Sequence, residues 1–210
     1  MTTQNLQQIT YLKEELESYN LLLIDISSQI MKAGNHAVHK LDFYFLSIIN
    51  RTISLNKAFS LLLENNNSLT GISIARLQLD NLIRLYAIKI VDDGLDFLDH
   101  FFDEKPINTY KVKNQKLTDK FLVTELDKEN PGCLNLYNYL CDFVHFSYRH
   151  FDATKDNSEN ENALFKIVVG DFEILNDNQG ITLYENMCSI SHIILKLSKE
   201  WNVTKNTLLK

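Results

Sequence analysis

Apolar residues recur at three- and four-residue steps along most of the chain, the spacing that lines one face of an α-helix. Leu6, Ile9, Leu16, Leu23, Ile26 and Ile30 follow it and predict a long helix over residues 5–33. Gly34 and Asn35 supply its stop, because both tolerate the left-handed backbone found at helix ends. Leu41, Phe45, Ile48, Ile49, Leu55 and Leu62 predict a second helix over 36–64, followed by a turn at Asn65–Ser68. The next stretch, 70–93, is so apolar that most of its helical circumference must be buried. Gly94 separates it from a short helix over 95–104.

Chain-breaking residues divide the remainder. Residues 106–116 read as irregular after Pro106, and Thr118 opens a short helix over 119–128. Asn130 and Pro131 punctuate the chain again, and proline suits the first turn of the next helix, predicted over 131–150. The polar stretch DATKDNSENEN, residues 152–162, reads as a loop. Phe165–Val169 and Phe172–Leu175 flank Gly170 and predict a small two-stranded element. Met187, Ile190, Ile194 and Leu197 place the final helix over 181–201 or beyond. The expected fold is mainly α, an antiparallel helical bundle with a small β-hairpin insertion before the last helix. One domain over 1–210 is expected: an N-terminal helix to residue 34, a core bundle over 35–150, an acidic loop and hairpin over 151–180, and a C-terminal helix over 181–210.

Composition narrows the class without naming it. Six glycines and two prolines are too few for a turn-rich barrel, and 45% apolar residues argue against disorder. Cys133, Cys141 and Cys188 form no C-x-x-C pair and leave an odd number, which points away from a disulfide framework or zinc finger. A reducing cytosol is the simplest compartment. The N-terminus lacks the basic start and apolar core of a signal peptide, and the run Leu21–Ile24 stops at Asp25, far short of the ~18 residues of a membrane span. A cytoplasmic protein without membrane contact is expected.

Charge is unevenly placed. Residues 151–187 carry eight acids against Lys155 and Lys166, which accounts for the whole net charge of −6. That segment is a candidate surface for a protein partner. Residues 105–120 hold five lysines and one aspartate, either a solvated surface or a strip that meets phosphates.

Two polar groups stand out on predicted helices. Arg76, Asp80 and Arg84 fall at four-residue steps and share one stripe of an otherwise apolar helix. Facing water, they would form a ladder of ion pairs worth about 0.3–0.5 kcal/mol each; covered by other helices, they would need partners and could form a polar site. On the 131–150 helix, Asn138, Asp142, His145 and Arg149 lie beside an apolar seam of Leu134, Tyr137, Cys141, Val144, Tyr148 and Phe151. A carboxylate one turn before a histidine can raise its pKa, and an arginine one turn later can hold a phosphate. This arrangement suits general acid/base chemistry on a phosphodiester; a histidine simply bonded within the bundle is the alternative. His36 and His39 are spaced to share a metal, but no further ligand pattern accompanies them. P-loop, GxGxxG, GxSxG and EF-hand patterns are absent from the sequence, and no cofactor or metal is expected.

The segment IARLQLDNLIRLYAIKIVDD, followed some fifty residues later by LYNYLCDFVHFSYRHF, resembles a set of uncharacterised bacterial helical proteins similar to the HEPN superfamily. Arg76, Asp80, Tyr137 and His145 carry the resemblance, which spans roughly residues 35–200 in order of elements. It implies a stress or phage-defence setting, a homodimer, and RNA or a nucleotide as ligand. It also implies a metal-independent ribonuclease site of His145, Arg76, Asp80, Arg149 and Asp142, with His145 as the acid/base group. Ribonucleolytic members place four to six residues between an Arg and the His that follows it on one helix; Arg51, Arg76, Arg84 and Arg149 all lack a His at that spacing. The catalytic pair is then split between two helices, or the protein is a non-catalytic binding module whose polar cluster is structural.

Overall fold

The computed structural model describes residues 2–153, 155–156, 166–167, 169–170 and 173–208. Its architecture is mainly α, as the periodicity predicts. Helix α1 (Thr3–Lys32) is capped by the Thr2 hydroxyl, which accepts from the Asn5 amide at 3.2 Å. Its apolar stripe of Leu12, Leu16, Leu23, Ile26 and Ile30 is buried and packs chiefly against α8 (Asp177–Leu208). Each such leucine or isoleucine contributes about 1.5–3 kcal/mol when removed from water.

Helix α2 (Lys40–Glu64) begins four residues later than its pattern suggested. Gly34, Asn35 and His36 all take positive φ, so the chain turns through His36 instead of starting a helix there. His39 is the N-cap, and its amide donates to Asp42 Oδ2 at 2.8 Å. Helix α3 (Ser68–Ile90) is the central element, touching α2, α5 (Asp119–Glu129), α6 (Cys133–Val144) and α8. Burial of Ile72, Leu79, Leu82, Ile83, Leu85 and Ala87 around its circumference bears out the expectation from its apolar sequence. Gly71 permits the close approach to the end of α2: a Cβ there would lie 2.4 Å from Leu63 Cδ1.

Gly94 opens α4 (Gly94–Phe102), and the Asp93 carboxylate caps that helix. Residues 106–116 are more ordered than their composition suggested. A 3₁₀ turn over Ile107–Thr109 leads into β1 (Lys111–Val112) and β2 (Gln115–Lys116), an antiparallel pair joined by Lys113 and Asn114, both at positive φ. That is the backbone a tight hairpin turn requires, reached here without glycine.

Two further elements differ from expectation. The helix predicted over 131–150 is broken: α6 ends at Val144, His145 is extended at φ −98° and ψ 133°, and α7 runs Tyr148–Ala153. Ser147 closes the corner, its hydroxyl donating to the Asp142 carbonyl at 2.7 Å and accepting from the Arg149 amide at 3.2 Å. A hairpin does precede the last helix, but β4 (Lys166–Ile167) pairs with β3 (Lys155–Asp156). Glu173–Leu175 lie outside any strand. Most of the expected 152–162 loop lies outside the described residues. Among the described residues, no helix is long and apolar enough to cross a membrane.

Candidate functional site

The stripe on α3 becomes a lattice because α5 and α2 supply its counterparts. Thr118 caps α5 by accepting from the Phe121 amide at 3.3 Å, which sets Asp119 at the first helical position beside α3. Arg76 Nη2 lies 3.2 Å from one Asp119 carboxylate oxygen, and Arg84 Nη2 pairs with the other. Asp80, between the two arginines on α3, takes Arg84 Nε at 3.4 Å and Arg51 Nη1 of α2 at 3.3 Å. Three guanidinium groups thus alternate with two carboxylates, a local excess of one positive charge. Arg51, Arg76 and Arg84 are each tied to a carboxylate.

Arg76 is the most enclosed of the three and is 9% exposed. Its guanidinium lies 4.5 Å from the Tyr137 ring centroid, and Nε donates to Cys141 Sγ at 3.4 Å. Burial works against its charge, but Cys141, Tyr137 and Asp80 outweigh burial and hold its pKa above the ordinary arginine value. Burial, reinforced by the bond to Cys141, raises the Tyr137 phenol. Arg84 Nη1 is buried without a hydrogen-bond partner among the described residues.

The lattice continues inward as neutral amides. Arg51 Nη1 donates to Asn81 Oδ1 at 2.6 Å, and Asn81 Nδ2 donates to Gln78 Oε1 and to Thr52 Oγ1. Gln78 Nε2 reaches Asn56 Oδ1 at 3.0 Å, and Asn56 Nδ2 donates to Asn20 Oδ1 and Ser191 Oγ. One chain of polar contacts therefore crosses α1, α2, α3 and α8 through the core. It uses three of the chain's twenty-two asparagines, Asn20, Asn56 and Asn81.

The second predicted group does not assemble as the sequence suggested. Because α6 ends before His145, the face that was to hold Asp142, His145 and Arg149 does not exist as one helical stripe. Arg149 folds back and places Nε 2.8 Å from Asp142 Oδ2, with its guanidinium 5.2 Å from the Tyr139 ring centroid. Asp142 is therefore committed to Arg149. His145 is exposed, and its side chain makes no hydrogen bond, ion pair or ring contact among the described residues. Arg76 meets α6 at Tyr137 and Cys141, whereas neither Asp142, His145 nor Arg149 bonds to Arg76, Asp80 or Arg84.

Other candidates fall into place around this lattice. Lys111, Lys113 and Lys116 are exposed on the β1–β2 hairpin, Lys105 pairs with Asp103, and Lys120 donates to Asn138 Oδ1 at 3.0 Å. His36 lies in the α1–α2 turn and His39 caps α2; among the described residues, no group of three or more His, Cys, Asp or Glu converges as metal ligands would. Burial pushes the Cys133 thiol up to about 11 and the Cys188 thiol up to about 12, so both stay protonated near neutral pH and neither is an activated nucleophile.

Asp119, Arg51 and the amide chain were missed in the sequence. Asp119 was visible as the single acid in a lysine-rich stretch and as the residue after a helix-capping threonine. Nothing local tied it to arginines 35 and 43 positions away. Fold and lattice together define a mainly α protein with a paired arginine–aspartate array between its central helix and two neighbours. No protein-family model, curated protein or solved structure matches the chain.

Proposed function

We propose that this chain is a HEPN-like helical protein, cytosolic and homodimeric, that acts as a non-catalytic binding module in a stress or defence setting. One observation carries the reading: Asp80 and Asp119 hold all three arginines of the lattice, including Arg76, the α3 arginine of the expected ribonuclease site. A guanidinium shared with a carboxylate is a weaker anchor for a phosphodiester than a free one, because the pair offsets most of its charge. The corner between α6 and α7 exposes Phe146 by 90% and Tyr148 by 69%. Aromatic rings beside an arginine are typical of protein contact surfaces, and the acidic 151–187 segment follows them in the sequence.

A second reading is favoured by the open position of His145: a metal-independent ribonuclease with a split site. Incubating total RNA with the purified protein and with His145→Ala, without added metal, separates the two. The binding-module reading expects intact RNA with both proteins. Cleavage by the native chain that disappears in the variant overturns it and installs His145 as the acid/base group.

A further inference from the structure

The ends of α3 and α8 meet the beginnings of α2 and α4 around a cavity of about 710 Å³, away from the arginine lattice. That volume falls in the range of small-molecule sites. Ile88, Leu98 and Trp201 make an apolar interior. At the mouth, Val38, Leu95 and Leu208 are 48%, 71% and 72% exposed, so the apolar surface continues outward.

Charge in the same cavity is one-sided. Both lysines that line it are taken: Lys40 pairs with Asp99, and Lys205 Nζ is fully buried against Asp42 Oδ2 and the Ile30 carbonyl, each at 2.8 Å. Neither lining carboxylate, Asp92 or Asp93, is paired with a cation among the described residues. Asp92 makes no hydrogen bond or ion pair among the described residues. Asp93 spends Oδ1 on the amides of Leu95 and Asp96, at 2.9 and 3.1 Å, and has no cation paired with it among the described residues. An apolar interior with two exposed carboxylates at its edge, neither paired with a cation among the described residues, fits an elongated apolar body ending in a positive charge. It repels the same body ending in a negative one.

We propose that this cavity binds an organic ammonium with an apolar body, its head at Asp92 and Asp93 and its chain toward Trp201. This proposal is independent of the function proposed for the lattice. Trp201 is the sole tryptophan, so its emission reports on the cavity directly. The native chain is titrated near neutral pH with n-octylammonium, n-octanol and n-octanoate, each below its aggregation threshold. Saturable change with octylammonium is expected, at least about tenfold tighter than with octanoate. The Asp92→Asn/Asp93→Asn variant keeps the α4 cap, because asparagine caps as well as aspartate. It should lose about tenfold in octylammonium affinity while octanol binding stays unchanged, which also shows that the cavity has kept its shape. Equal affinity for octanoate overturns the proposal. So does an octylammonium response unaltered in the variant, or the lack of any saturable change.

Discussion

Asp42 and Asp119 both collect several donors, yet their surroundings are opposite. Asp42 is sealed: its carboxylate takes Lys205 Nζ and the His39 amide on one oxygen and Trp201 Nε1 on the other, each at 2.8 Å, and neither Asp42 nor Lys205 has exposed side-chain surface. The Asp119 side chain stays 28% exposed while joining two arginines whose side chains are 11% and 21% exposed. The same pairing of carboxylate with cation thus serves as a closed clasp at one place and a semi-open lattice at another. In the clasp, loss of either partner strands a charge with no route to water. In the lattice, solvent softens the loss, and the remaining arginine can turn outward.

Three substitutions test that difference, from the largest expected effect down. Asp42→Ala leaves the Lys205 ammonium buried and should cost about 3–5 kcal/mol in urea unfolding. A loss under about 1 kcal/mol would mean that the clasp carries little of the fold. Asn56→Ala removes the central amide of the neutral chain and strands groups on Asn20, Gln78 and Ser191; about 2–3 kcal/mol is expected. Asp119→Ala should cost only about 1–2 kcal/mol, because Arg76 and Arg84 retain solvent contact and Arg84 keeps Asp80. If it instead matches Asp42→Ala, the lattice is as sealed as the clasp and the contrast fails.

Long periodic segments were legible in the sequence. Helices α1, α3 and α8 follow their apolar stripes, and Gly34 and Asn35 do end α1 near the expected place. The break between α6 and α7 was not legible because its pattern runs on regardless: Val144, Tyr148 and Phe151 continue the three- and four-residue steps of Leu134, Tyr137 and Cys141. In the structure those three are at least 40% exposed, so the periodicity beyond Val144 is not a buried seam. The cue was Ser147, a residue suited to starting a helix within the predicted one. Arg76, Asp80 and Arg84 were recognised as a stripe from their spacing, which a helix enforces. Their counterparts Asp119 and Arg51, like Asp42 with Lys205, are paired by tertiary packing, and no local period records such a pairing.

The clasp at Asp42 also sets a schedule for the newborn chain. Lys205 follows Asp42 by 163 residues, and α1 finds its chief packing surface on the same late helix. At ordinary ribosomal speeds of about 5–20 residues per second, the carboxylate waits roughly ten to thirty seconds for its ammonium. Throughout that interval α1 can pack against α2 but lacks its chief partner. The bundle therefore closes late, because its first helix meets its chief packing surface only once α8 has been made.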